Sequence, residues 1–230
     1  MTKETIKKIF EMLEKMYPDP KTELHYETPF QLTIAVIMSA QTTDKQVNKV
    51  TDKLFQKVSG PADVLKLGLP KLMSAINSVN FFRNKANNIF KLAHVLVDAD
   101  FQKNILAEKN LDAQKMGKKY GYVLPTTIDG LTELPGIGIK TAKVIGHVLW
   151  DLPVIAVDTH VHRVTNRLGI VTTKTPEETS DILEKKVPEE YKTFAHHALI
   201  LFGRYHCTAQ KPKCETCPLS SMCRYFKGLK

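Results

Sequence analysis

All four cysteines of this 230-residue chain lie within seventeen residues, at Cys207, Cys214, Cys217 and Cys223, in the spacing C-x6-C-x2-C-x5-C. A loop that short can wrap one tetrahedral or cuboidal centre, and the rest of the chain must accommodate it. Two disulfides are the competing reading, disfavoured because nothing in the sequence points to an oxidising compartment. Zinc sites of four cysteines usually come as two C-x2-C pairs. Here one such pair has longer arms on either side, which favours an iron–sulfur cluster. Metal binding contributes about 10–16 kcal/mol in zinc peptides, so the loop is expected to depend on its centre for order.

Upstream of this loop, the apolar residues recur with helical period. Ile6, Ile9, Phe10, Leu13 and Met16 make an amphipathic first helix. Thr28-Pro29 reads as a cap followed by proline at the first helical position, opening a buried helix through Ile37. A charged helix follows over about 44–58, and short ones start near Pro61 and Pro70. Ala86, Ile89, Phe90, Ala93 and Val97 share a face of the next. Thr175 to Glu178 spells a capping box opening a helix to about Lys186, and the stretch from Pro188 reads as one more helix, stopped by Gly203. The lysine-rich residues 101–121 read as a solvated surface excursion in preference to an inserted helix. With no strand ladder and no repeat, the fold class is all-α.

Lys+Arg outnumber Asp+Glu by 33 to 24, a formal charge of +9. Residues 201–230 hold six basic residues against Glu215 alone. Such an excess favours polyanionic partners, nucleic acid first, although a solubility surface would also account for it. The longest apolar run, 32–40, is too short to span a bilayer, and the N-terminus has no hydrophobic signal core. A soluble, intracellular protein with no membrane partner is expected.

The stretch Leu134–Leu149 runs through Pro135-Gly136-Ile137-Gly138 directly into a helix bearing Ala142, Ile145 and Leu149 on its buried side. Glycines permit positive φ and close backbone approach, and a helix start offers free N–H groups. Gly136 and Gly138 could therefore hold a phosphate oxygen without reading a base. A harmless helix turn has the same bare pattern. Lys140 is a phosphate ligand on the simplest reading. As a nucleophile it would need its ammonium destabilised by burial or by cations such as Lys143, since a helix dipole contributes only about 1 kcal/mol. Eighteen residues on, Asp158 follows an apolar run and precedes a helix with Arg163 and Arg167. It suits an N-cap, and a carboxylate there could also stabilise a developing cation or take a proton.

The ordered set SAQTTD, LPGIGIKTA, VDTHVHRVTNRLG, HHALILFGR and the cysteine spacing resembles the bacterial endonuclease III family of DNA glycosylases and abasic-site lyases. The resemblance covers about 1–100 and 120–228. It implies a two-lobed helix-hairpin-helix DNA glycosylase fold. One lobe is a six-helix barrel at 22–152, with the hairpin at about 127–149 and an inserted stretch at 101–119. The other joins 1–21 to 153–230 around one [4Fe-4S] cluster held by the four cysteines, and the active site lies in the cleft between them.

By the same resemblance, Lys140 is the nucleophile that attacks C1′ of a flipped damaged nucleotide, and Asp158 the catalytic carboxylate. Gln41 fills the hole left in the duplex, and Phe81 stands at the wedge position. The implied activity is base-excision repair of oxidised pyrimidines followed by β-elimination. The implied partner is double-stranded DNA with a damaged base or abasic site, bound by a cytoplasmic, nucleoid-associated monomer. Two departures stand out. The 101–119 stretch is longer than in bacterial relatives, and Ile139 occupies a position often basic beside the nucleophile. A loop polar residue at 41 and a core aromatic at 81 are the structural alternatives. For function, they are a monofunctional mismatch glycosylase, against which Lys140 argues, and a non-catalytic iron–sulfur or zinc DNA-binding module.

Overall fold

A computed structural model describes residues 1–229, and every regular element among them is helical. The chain divides into two compact units, Glu23–Trp150 and Met1–Thr22 with Asp151–Lys230. Helix α1 (Lys3–Met16) opens the second of these, capped by the Thr2 hydroxyl, which accepts from Thr5 N. Its stripe of Ile6, Ile9, Phe10 and Leu13 is buried.

The continuous unit is arranged around α2 (Pro29–Ser39), apolar on all sides and buried from Pro29 to Met38. Thr28 and Gln31 close a reciprocal capping box, while the Gln31 amide donates to Val58 O and Tyr122 Oη accepts from Phe30 N. A helix this apolar is stable only when covered all round. Against it pack α3 (Asp44–Leu54) and α6 (Phe82–Val97), and α4 (Pro61–Leu67) and α5 (Leu69–Ala75) lie on α6 within the same core. The third of the sequence-read helices therefore ends at Leu54, not near Val58.

On α6 the buried stripe is Lys85, Ala86, Ile89, Leu92, Ala93 and Leu96, whereas Val97 is exposed and Phe90 only half-buried. Residues 99–120 are ordered as two short helices, α7 (Ala99–Ala107) and α8 (Leu111–Tyr120). The surface-excursion reading holds for α7, which buries no residue, and fails for α8, which buries Ala113 and Met116. Gln102 fixes the pair by accepting from Val123 N and donating to Leu96 O. Helices α9 (Ile128–Thr132) and α10 (Ile139–Trp150) complete the unit.

The second unit adds α11 (Thr159–Leu168), α12 (Pro176–Lys186), α13 (Lys192–Tyr205) and α14 (Arg224–Lys227) to α1. Phe10 of α1 stacks on Tyr191 at 5.5 Å, within a core shared by Val161, Leu199 and Phe202. Two expectations need correction. Thr175 caps α12 through Glu178 N, but the Glu178 carboxylate accepts from Lys174 N, so the capping box is not reciprocal at Thr175 itself. Gly203 does not stop α13, which runs on to Tyr205. A Cβ on it would lie 2.9 Å from His160 Cβ, so the glycine serves the close crossing of α11 and α13. No helix among the described residues is long and apolar enough to cross a membrane.

Candidate active site and cysteine loop

The turn between α9 and α10 is held from both ends. Thr127 caps α9 by accepting from Gly130 N at 3.2 Å, and Leu134 N and Ile137 N donate back to Leu131 O and Leu134 O. Leu131, Leu134 and Ile137 are buried, which fixes the turn on the unit's core. Gly136 has φ +80°, and a Cβ there would sit 2.7 Å from Asn88 Cβ on α6. This glycine answers to both requirements, handedness and close approach. Gly138 answers to neither. Its φ is not positive and an added Cβ would meet nothing within 4 Å.

Helix α10 opens at once, its first regular bond running from Ala142 N to Gly138 O at 2.9 Å. The N–H groups before Ala142 therefore lie ahead of the helical ladder. Lys140 stands on this first turn and is exposed, as is Ile139 at 55%. Packing by the continuous unit thus leaves the Lys140 side chain open.

Gln41 and Phe81 are both exposed and both have left-handed backbones, φ 56° and 57°. Phe81 is 63% exposed and is the N-cap of α6 without any side-chain capping bond, so it is not a core aromatic. A left-handed bulky residue costs of order 1–3 kcal/mol and persists only where the surroundings enforce it. The surroundings here are Asn80, whose amide donates to Gln41 O and whose backbone N donates to Thr42 Oγ1, and Lys85, whose ammonium reaches Met38 O, Ala40 O and Thr42 Oγ1. Sequence reasoning passed over Lys85, Asn80 and Asn88. The available signal for Lys85 was its register with Ile89, Leu92 and Leu96 on an otherwise apolar face.

In the other unit, Asp158 is the N-cap of α11. Its Oδ1 accepts from His160 N at 2.9 Å and Val161 N at 2.8 Å. The segment leading to it is secured by His196 Nδ1 on Ala156 O at 2.9 Å and by Glu184 Oε1, which accepts from Ile155 N. Arg163 on the same helix donates to His160 Nδ1, Gly203 O and Cys207 O. Burial holds the His160 imidazole below its ordinary value, and the Arg163 and Arg204 guanidiniums push the same way against the opposing Asp158 carboxylate.

The four cysteines line one cleft, partly open to solvent, with about 320 Å³ of space free of protein atoms. Its remaining wall is largely apolar, with Leu168, Phe202 and Tyr225 among the side chains. The Nε2 of His206 is buried there without a hydrogen-bond partner among the described residues. Among the described residues no three His, Cys, Asp or Glu side chains converge closely enough to hold a single metal ion. Four cysteines around one cleft can each give a thiolate to a single cluster. Arg167 braces the loop, donating to Thr208 O at 2.7 Å and Ala209 O at 2.9 Å, lying 3.6 Å from Cys207 Sγ and stacking over Tyr225. Burial pushes the Cys214 and Cys217 thiols up, which opposes ionisation until a metal engages them.

Residues 34–189 match the family model of the HhH-GPD superfamily base excision DNA repair protein, and residues 207–223 match the iron-sulfur binding domain of endonuclease III. Endonuclease III of Bacillus subtilis is 44% identical over 91% of this chain and 87% of its own length. The chain belongs to the endonuclease III family. Endonuclease III of Escherichia coli K12 is 38% identical over 94% of this chain and 93% of its own. A solved structure of a trapped endonuclease III–DNA covalent intermediate is 41% identical, covers 100% of this chain and 99% of that one, and gives a TM-score of 0.84. As in the endonuclease III family, the all-α fold carries a loop for one [4Fe-4S] cluster. Gln41, Phe81, the hairpin, Lys140 and Asp158 all lie within the superfamily match, and the iron–sulfur match begins on Cys207 and ends on Cys223.

Proposed function

We propose that this chain is a bifunctional base-excision repair enzyme that removes oxidised pyrimidines from double-stranded DNA and then cuts the abasic strand. The observation that carries the reading is the exposed Lys140 amine on the first turn of α10, two residues after a glycine with open space before it. A phosphate oxygen can approach Gly138 and the free N–H groups of that turn without steric opposition. Backbone held there brings the neighbouring sugar to Lys140.

The neutral Lys140 amine attacks C1′ as the C1′–base bond breaks, and the base leaves with its bonding electrons and takes up a proton. Opening of the sugar ring gives the Schiff base. Loss of a C2′ proton then expels the 3′ oxygen, and water hydrolyses the imine to free Lys140. DNA closing over the exposed amine supplies the desolvation that the protein's own packing does not. Asp158, with Oδ1 committed to the α11 cap, has its other carboxylate oxygen for stabilising the cationic sugar or taking a proton.

A base inside a duplex must first be extruded, at a cost of a few kcal/mol, and Gln41 and Phe81 offset part of that by occupying the gap and the adjoining step. Cys207, Cys214, Cys217 and Cys223 each supply one thiolate to the [4Fe-4S] cluster, whose contribution when bound is to crosslink the loop. The protein acts as a cytoplasmic, nucleoid-associated monomer.

Borohydride reduction on a duplex with an abasic site or oxidised pyrimidine tests the reading. A covalent adduct is expected from the parent and none from Lys140→Ala. An unchanged adduct in that variant sinks the nucleophile assignment, and no adduct from the parent favours a non-catalytic DNA-binding module.

A further inference from the structure

Lys85 is 7% exposed, on the buried face of α6, and none of its hydrogen bonds goes to a carboxylate. Burying a cation without a counter-charge is costly, and burial here pushes its ammonium below the ordinary lysine value. What offsets the cost is the negative end of α2. Met38 O and Ala40 O lie where that helix leaves its last carbonyls unpaired, and both accept from the ammonium, with Thr42 Oγ1 as a third oxygen. A methionine of similar length would fill the same space without desolvating a charge, so volume does not explain the residue.

The oxygens it grips bracket Gln41. Two residues before α6, Asn80 completes the hold through Gln41 O and Thr42 Oγ1, and Gln46 joins the same two segments by donating to Ser78 Oγ at 2.8 Å. The next residue is Phe81, whose own carbonyl accepts from Lys85 N at 3.1 Å to start the helix. The two exposed, left-handed residues of this unit that the proposed reading sends into DNA are thus tied to each other by one buried lysine and one asparagine.

We propose that Lys85, with Asn80, is a positioning residue that locks Gln41 and Phe81 as one preformed unit for opening the duplex. This rests on the reading of Gln41 and Phe81 as the residues that enter the helix. The binding cost of ordering two strained loops is met in the free protein and not on DNA, so the lock lowers the cost of extrusion and leaves the chemistry at C1′ alone. Loss of the lock should therefore show only where there is a duplex to open.

The experiment is single-turnover excision of an oxidised pyrimidine, either paired in a duplex or unpaired in a bubble of mismatches. Lys85→Met is expected to slow excision of the paired lesion about tenfold and of the unpaired lesion by less than about twofold. A 2-aminopurine beside the paired lesion should brighten more slowly by a similar factor. Asn80→Ala, at an exposed position that leaves the core intact, should give a smaller loss with the same pattern. In a Gln41→Ala/Phe81→Ala background, Lys85→Met should add almost nothing.

Equal losses on both substrates, or full additivity in that background, overturn the proposal in favour of general stability. A parent-like rate for Gln41→Ala/Phe81→Ala on the paired lesion overturns the reading of those two residues and the proposal with it. A slow Gln41→Ala/Phe81→Ala beside a parent-like Lys85→Met overturns the proposal alone.

Discussion

Gly136 passes so close to Asn88 that a methyl group on the glycine would stand 2.7 Å from the asparagine Cβ, while two residues on Gly138 faces open space. The two glycines of one hairpin therefore fail differently. Gly136→Ala adds a clash to an unfavourable φ and should cost about 1–3 kcal/mol of stability, read as a lowered Tm. Gly138→Ala should leave Tm within a degree or so and weaken binding to duplex DNA, measured by anisotropy. A Gly138→Ala protein that binds like the parent would remove the phosphate role.

Asp158 carries two tasks that asparagine and alanine separate. Asparagine caps a helix as well as aspartate does, so Asp158→Asn should keep the parent Tm and DNA affinity while excision turnover falls. Asp158→Ala should lose turnover and also about 1 kcal/mol of stability. Equal destabilisation in both variants would reduce Asp158 to a cap.

His160 should give this fold an acid-sensitive component. Its folded value lies below the unfolded one of about 6.5, so no penalty exists above that pH. As pH falls from there through the folded value, protonation favours the unfolded chain and stability drops. Subtracting the pH–stability profile of His160→Phe from that of the parent should leave this component, absent at pH 8 and growing below 6.5. A flat difference would contradict the burial argument.

Arg167 grips the start of the cysteine loop through Thr208 O and Ala209 O. Arg167→Met keeps the aliphatic stem and removes the donors together with the guanidinium stacked over Tyr225. Iron should leave faster in the presence of a chelator, followed by visible absorbance, with the α-helical signal largely intact at the outset. A release rate equal to that of the parent would mean that the cysteines hold the loop unaided.

Much of this was legible because it is local. Thr28 and Thr175 announce helix starts through side-chain bonds that span three residues, and the cysteine spacing names its own loop. The all-α class follows from a period repeated in nearly every segment. Gly203 was misread for a tertiary reason. Its absent Cβ makes room for His160 forty-three positions earlier, and no pattern within α13 could say so. Residues 101–121 look solvated because α7 is, and the two buried residues of α8 are too few to set a visible stripe. In the candidate site, residue types could be picked out, but not the left-handed backbones of Gln41 and Phe81, whose two segments Lys85 and Asn80 join. The lysine hid by its charge, since a cation is normally assigned to the surface.

The stacking of Phe10 on Tyr191 bears on how the chain is made. Ile6, Ile9, Phe10 and Leu13 leave the ribosome long before the residues that cover them, which come from Ile155 onward. Meanwhile residues 23–150, with a core of their own, have been completed. For most of synthesis the first helix thus carries an uncovered apolar face, a natural hold for a chaperone, and it docks only when the last third of the chain arrives.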